Sequence, residues 1–216
     1  MNIVTNFELI KNTLSGDVKI IAVSKTKTKE KILKIYNTGH RDFGENRIQE
    51  MKEKHDGLPK DIKWHMIGHL QKNKVKYIAP FVDLIHSVDS YKLLKEINKQ
   101  GIKNKRIIKC LLQIKIAKEE SKFGLFKNEV ENLISLSNDL NNITIIGLMG
   151  MATFTNNQDI INSEFKEIST LFKNLKISYP KFSFLSIGMS NDYLTAIKYG
   201  SNMVRIGSQI FGERNK

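Results

Sequence analysis

The sequence predicts an α/β fold of the (β/α)8 barrel class, preceded by an extra N-terminal helix, and three observations carry that prediction. Short apolar runs rich in β-branched residues recur from end to end of the 216-residue chain. Stretches with helical spacing lie between them, which implies parallel strands joined by crossover helices. The first run ends in VSKTKTKE (23–30), without the glycine fingerprint that an open doubly wound sheet places after its first strand.

The elements follow in order. Phe7–Leu14 reads as the leading helix. The predicted strands are Val18–Val23, Arg41–Gly44, Lys63–Ile67, Leu84–Val88, Ile107–Ile116, Thr144–Leu148, Phe182–Ile187 and Met203–Ile206. The clearest helical patterns are Thr28–Asn37 (Ile32, Leu33, Ile35, Tyr36), Ser90–Lys99 (Leu93, Leu94, Ile97), Asn128–Leu140 (Val130, Leu133, Ile134, Leu136) and Ser163–Leu175 (Phe165, Ile168, Leu171, Phe172). Eight strands, each followed by a helical segment, is the barrel's count. The loops must be brief, because the chain is short for that fold. No linker or low-complexity segment divides it, so a single domain over residues 1–216 is expected.

Composition narrows the function. With 40% hydrophobic and 26% charged residues, 3 Pro and 1 Cys, the chain reads as a globular protein. The lone Cys110 excludes a disulfide framework and a multi-thiolate metal site. No apolar run approaches the about 20 residues of a membrane span, and MNIVTNFELIKNTL (1–14) lacks a signal-peptide pattern. A cytoplasmic protein is expected. The net charge of +13 comes from 35 Lys+Arg against 22 Asp+Glu. Most of it is Lys scattered along the chain, with no basic tail or basic–aromatic motif, so nucleic-acid binding is not the expected role.

In this fold the site lies at the carboxyl ends of the strands. Those ends carry Ser24, Lys25 and Lys27; Glu45 and Asn46; Gly68 and His69; Met149 and Gly150; Gly188, Met189 and Ser190; and Arg205, Gly207 and Ser208. Lys25 stands directly on a buried strand, with a second amine at Lys27. Partial burial and a neighbouring cation both favour a neutral amine, which condenses with a carbonyl. VRIGSQIFG (204–212) places Gly207 and Ser208 at the start of a terminal helix, where backbone N–H groups and a hydroxyl bind phosphate. Ser190 reads as the N-cap of a helix closed by Gly200, or as a second phosphate donor. A strand-1 lysine with phosphate-binding last loops points to a phosphorylated carbonyl compound: a sugar phosphate held by a class I aldolase-like lyase, or pyridoxal phosphate (PLP). His65 and His69 straddle a strand end without an accompanying carboxylate, so no metal site is expected there. Cys110 sits mid-strand and reads as a buried apolar residue. The loop AKEESKFG (117–124) reads as solvated, with Lys122 in reach of the mouth.

Seven motifs then stand in register: AVSKTK (22–27), FGEN (43–46), WHMIGHLQKNK (64–74), IHSVD (85–89), GLMGMAT (147–153), LSIGMSNDYLTAI (185–197) and MVRIGSQIFG (203–212). Together they resemble the YggS/PROSC family of pyridoxal phosphate homeostasis proteins, similar to the barrel domain of alanine racemase standing alone (fold type III of PLP proteins). The resemblance implies PLP as cofactor, held as a Schiff base on Lys25. It implies Arg205 facing the pyridine nitrogen, Ser190, Gly207 and Ser208 on the phosphate, Asn46 near the ring, and Met189 and Gly188 beside it. Lys27, Glu119 and Lys122 match further positions lining the family's site. Thr28 and Ile187 depart from the usual proline and methionine, and neither carries chemistry.

An arginine opposite the ring nitrogen donates a hydrogen bond but hardly a proton, so the cofactor would be a poor electron sink. Racemases compensate with a second base from a partner domain, for which a chain ending at residue 216 is expected to leave no room. The expectation is therefore a non-catalytic PLP carrier that buffers the cofactor and supports amino-acid and keto-acid balance. PLP-dependent apo-enzymes are the expected recipients, and the expected state is a monomer with no nucleic-acid or membrane partner. A racemase-like PLP enzyme and an aldolase-like lyase are the alternatives.

Overall fold

A computed structural model describes residues 2–14, 16–117 and 123–213. Eight parallel strands close on themselves in sequence order: β1 (Lys19–Val23), β2 (Asp42–Glu45), β3 (Lys63–Met66), β4 (Val82–Val88), β5 (Ile108–Ile114), β6 (Ile143–Gly150), β7 (Phe184–Met189) and β8 (Met203–Ile206). β8 returns to β1 with Ile21 opposite Arg205, so the barrel has no open edge.

The helices are α1 (Ile3–Thr13), α2 (Lys29–Tyr36), α3 (Ile48–Gly57), α4 (Tyr91–Lys103), α5 (Val130–Leu136), α6 (Gln158–Ser178), α7 (Tyr193–Lys198) and α8 (Ser208–Phe211). Side-chain caps fix two of the boundaries that the periodicity blurred. Asn2 accepts the Val4 N–H at 3.0 Å and starts α1 four residues before Phe7. Asn157 accepts from Asp159 and Ile160 and starts α6 at Gln158 rather than Ser163. The segment after β3 is a 3-10 helix, Lys72–Tyr77, that buries Val75. No helix among the described residues is long and apolar enough to cross a membrane.

Strand alternation sorts the core into two parts. One cluster is Ile21, Leu84, Leu111, Met149 and Met203, contributed by five different strands. Their neighbours Ile20, Ala22, Ile85, Cys110, Leu112, Leu148 and Val204 point the other way and join the helices in the larger cluster. Cys110 is fully buried, as the sequence suggested, and burial pushes its thiol far up. Buried polar groups share the barrel with this cluster: Glu45, His65, His86, Ser186 and Arg205 are all buried, with Arg205 opposite Ile21 and His65 opposite Leu84.

Candidate functional site

Lys25 follows β1 on a turn that three other side chains brace. The Ser24 carbonyl accepts from the Lys27 N–H at 3.0 Å and from the Lys54 ammonium at 2.7 Å. The Ser24 hydroxyl donates to Glu45 at 2.5 Å. On the far side of Lys25, the Thr26 N–H donates to Glu50 at 2.5 Å, holding Thr26 at φ 65° in the left-handed region. Lys54 closes the frame with ion pairs to Glu45 (2.8 Å) and Glu50 (2.7 Å). Lys25 is half-buried and stands on a backbone turn that these bonds hold in place.

Glu45 is wholly buried, and its second carboxylate oxygen has no hydrogen-bond partner. Burial pushes its carboxyl up to about 7, against the pull of Lys54 and Ser24. Asn46 follows it, and the next loop lies so close that a Cβ on Gly68 would sit 2.3 Å from the Asn46 carbonyl oxygen. Gly68 thus sets the backbone position of Asn46.

Arg205 projects from β8 and is buried. One guanidinium nitrogen donates to the Ser186 carbonyl (2.6 Å) and hydroxyl (2.8 Å), the other to the Gly150 carbonyl (2.9 Å). These acceptors are neutral, and burial pulls the guanidinium down to about 10, with Asp192 opposing from a distance. The group remains cationic at neutral pH.

The β7 and β8 ends form one unit. The Ser190 hydroxyl accepts the Gly207 N–H at 3.2 Å, and the Gln209 amide donates to the Ser190 carbonyl at 2.6 Å. Ser208 opens α8 and is exposed, as expected. Ser190, however, is not the N-cap of α7. β7 runs on to Met189, and Asp192 occupies the cap position while its carboxylate takes the Met189 N–H at 2.6 Å. Gly188 has φ 92°, and a Cβ there would meet Ala196 at 2.7 Å, so the turn needs glycine.

Lys25, Asn46, Gly188, Met189, Ser190, Arg205, Gly207 and Ser208 therefore lie at or just beyond the strand ends on one face of the barrel. Lys27 is directed to the carbonyls of Gly212 (2.9 Å) and Glu213 (3.1 Å), where it holds the chain after α8. Glu119 and Lys122 lie outside the described residues. The two histidines need correcting, since each has a carboxylate: Asp42 lies 3.0 Å from His65, and Asp89 lies 3.5 Å from His69. No metal-binding group of three side chains exists among the described residues.

Sequence reasoning missed Glu50, Lys54, Ser186 and His86. Lys54 had a signal, because it continues the buried stripe of Ile48 and Met51 on α3, where an apolar residue would be expected.

The family model for the alanine racemase N-terminal domain matches residues 1–215. The chain belongs to that family. Among its relatives, the pyridoxal phosphate homeostasis protein of Aquifex aeolicus is 37% identical over 198 residues, covering 91% of this chain and 87% of the relative. The protein of the same name from Haemophilus influenzae is 37% identical over 230 residues, covering 100% and 97%. The structure of PipY from Synechococcus elongatus PCC7942 with PLP bound superposes with a TM-score of 0.89. Its identity is 31%, and the match covers 98% of this chain and 100% of PipY.

Proposed function

We propose that this protein binds pyridoxal phosphate reversibly through Lys25 and serves PLP homeostasis as a non-catalytic carrier. The observation that carries the reading is the braced backbone turn that carries Lys25, at the same end of the barrel as the buried Arg205 and the Ser190–Gly207–Ser208 turn. The relatives' name and the PLP bound to PipY support it.

The residues fit the cofactor group by group. The Lys25 amine matches the aldehyde. The Ser190 and Ser208 hydroxyls, with the backbone at Gly207, match the phosphate. Gly207 belongs there, since a Cβ would already press on the Val23 carbonyl at 3.2 Å. Arg205 matches the pyridine nitrogen as a fixed donor, and Asn46 and Met189 flank the ring. When bound, PLP supplies an electrophilic aldehyde and a conjugated ring that can withdraw electrons from an attached amine.

The chain's own residues restrain that chemistry. Arg205 holds its protons at neutral pH, so it offers the ring nitrogen a hydrogen bond rather than a proton. Ser24, Glu50 and Lys54 keep the lysine turn in place. Capture and release of an aldehyde need only this amine and the anion-binding turn, which is the work of a carrier.

The test is to load the protein with PLP, follow its visible absorption, and add a PLP-dependent apo-enzyme. Loss of the yellow band with gain of enzyme activity is the expected result, without turnover of amino acids by the loaded protein alone. Racemase, transaminase or decarboxylase turnover that disappears in Lys25→Ala would overturn the non-catalytic reading.

A further inference from the structure

A continuous line of polar groups, four buried and the last, Asp42, half-buried, crosses the barrel interior beneath the site. Arg205 donates to the Ser186 hydroxyl at 2.8 Å. That hydroxyl lies 3.1 Å from His86 Nδ1, His86 Nε2 lies 3.0 Å from His65 Nδ1, and His65 Nε2 lies 3.0 Å from Asp42 Oδ1. Asp42 is the first residue of β2, at the opposite end of the barrel, where Lys19 also pairs with it at 3.1 Å. Four strands besides β8 therefore connect to Arg205 by way of this line.

The inventory of donors fixes its direction. Arg205 can only donate, and an ionised Asp42 can only accept. The Ser186 oxygen, accepting from Arg205, then has its proton to give to His86 Nδ1. His86 passes the Nε2 proton to His65 Nδ1, and His65 gives its Nε2 proton to Asp42. Every proton is used and both rings are neutral. The reverse polarity needs an extra proton on His65 and leaves the Ser186 proton stranded in a buried place, which is costly. Burial opposes a charge on His86, whose nitrogen stays well below the usual range of imidazole protonation. Burial also opposes the charge on Asp42, yet the hydrogen bond from His65 and the Lys19 ammonium keep that carboxyl ionised.

We infer that Asp42, His65, His86 and Ser186 form a one-directional hydrogen-bond relay that positions the Arg205 guanidinium for the ring-nitrogen end of the cofactor. These four are positioning residues, and their role rests on the PLP reading above. The aligned bonds run from a buried cation to an anion, so each strengthens the next. They also force the Ser186 oxygen to present lone pairs, rather than its proton, to Arg205.

Two measurements test the relay. Nitrogen-15 imidazole spectra of the cofactor-free protein at neutral pH are expected to show His65 and His86 neutral, protonated on Nε2 and bare on Nδ1. PLP titrations then test the coupling. Ser186→Ala removes the hydroxyl while the residue 186 carbonyl still holds Arg205, and is expected to weaken PLP binding about 10-fold. Asp42→Asn, at the far end of the barrel, is expected to weaken it by a smaller factor of about 3. The double variant should match Ser186→Ala alone, because the line is already cut. Asp83→Asn, at the same end but paired with Lys109 instead, should leave binding unchanged. A proton on either Nδ1, an unaffected Asp42→Asn, or additive losses in the double variant would overturn the relay. A wild-type protein with the expected tautomers that takes up no PLP would instead remove the cofactor reading, and the relay's role with it.

Discussion

The Ser24 hydroxyl donates to the Glu45 carboxylate at 2.5 Å, tying β1 to β2 directly beneath Lys25. Glu45 is thereby part of the frame that aims the lysine. Its carboxyl is nonetheless pushed up to about 7 by burial, since one oxygen takes both Lys54 and Ser24 while the other takes nothing.

That imbalance predicts a pH dependence. A carboxyl with a raised folded-state value binds more protons folded than unfolded between about 4.3 and 7, so stability falls as pH rises through that window. The buried, neutral His86 works in the opposite sense below about 6.5. It is common to wild type and variant, and drops out of their difference. Glu45→Gln should therefore gain on wild type as pH rises from about 4.3 to 7, by on the order of 3 kcal/mol across the window, and then level off. Urea unfolding of both proteins at several pH values checks this, and a flat difference would refute it.

Ser190 faces the Gly207 N–H instead of capping a helix. Ser190→Ala should therefore weaken PLP binding about 10-fold while leaving the binding of pyridoxal, which lacks the phosphate, unchanged. Parallel absorbance titrations with the two aldehydes read the difference. Equal losses for both would assign Ser190 to the fold rather than to the phosphate.

Gly68 touches the backbone of Asn46, and a methyl there would overlap it. Gly68→Ala should cost about 1–3 kcal/mol in denaturant unfolding and also reduce PLP uptake, because Asn46 must move. Gly16 has nothing within 4 Å of a built Cβ, so Gly16→Ala should stay within about 0.5 kcal/mol of wild type. Equal effects at both positions would show that the crowding at Asn46 does not matter.

The barrel was legible because most strands keep an apolar run, although β2 and β3 hold no β-branched residue, and most crossover helices keep a stripe. The errors fall at element ends, such as the starts of α1 and α6 that a capping side chain decides. The placement of Lys25, Arg205, Gly207 and Ser208 at one end of the barrel was legible for a related reason: in this fold, position at a strand's carboxyl end is itself the signal. Of the two readings of Ser190, the N-cap one fails because β7 extends to Met189, which moves the helix start beyond Asp192. The carboxylate beside His65 was invisible to local spacing. Asp42 is 23 residues away in sequence and arrives only because β2 and β3 pair with Asp42 opposite Lys63. Lys54 was partly visible: its place on the buried stripe of α3 and its i,i+4 partner Glu50 are local, and only Glu45 is supplied by the folded frame.

The central claim is that Lys25 is the covalent anchor, and borohydride reduction of the PLP-loaded protein followed by peptide mass mapping tests it most directly. The phosphopyridoxyl group should be found on Lys25, and Lys25→Ala should show neither the yellow band nor the label. A label on another lysine, or a band that survives Lys25→Ala, would contradict the account.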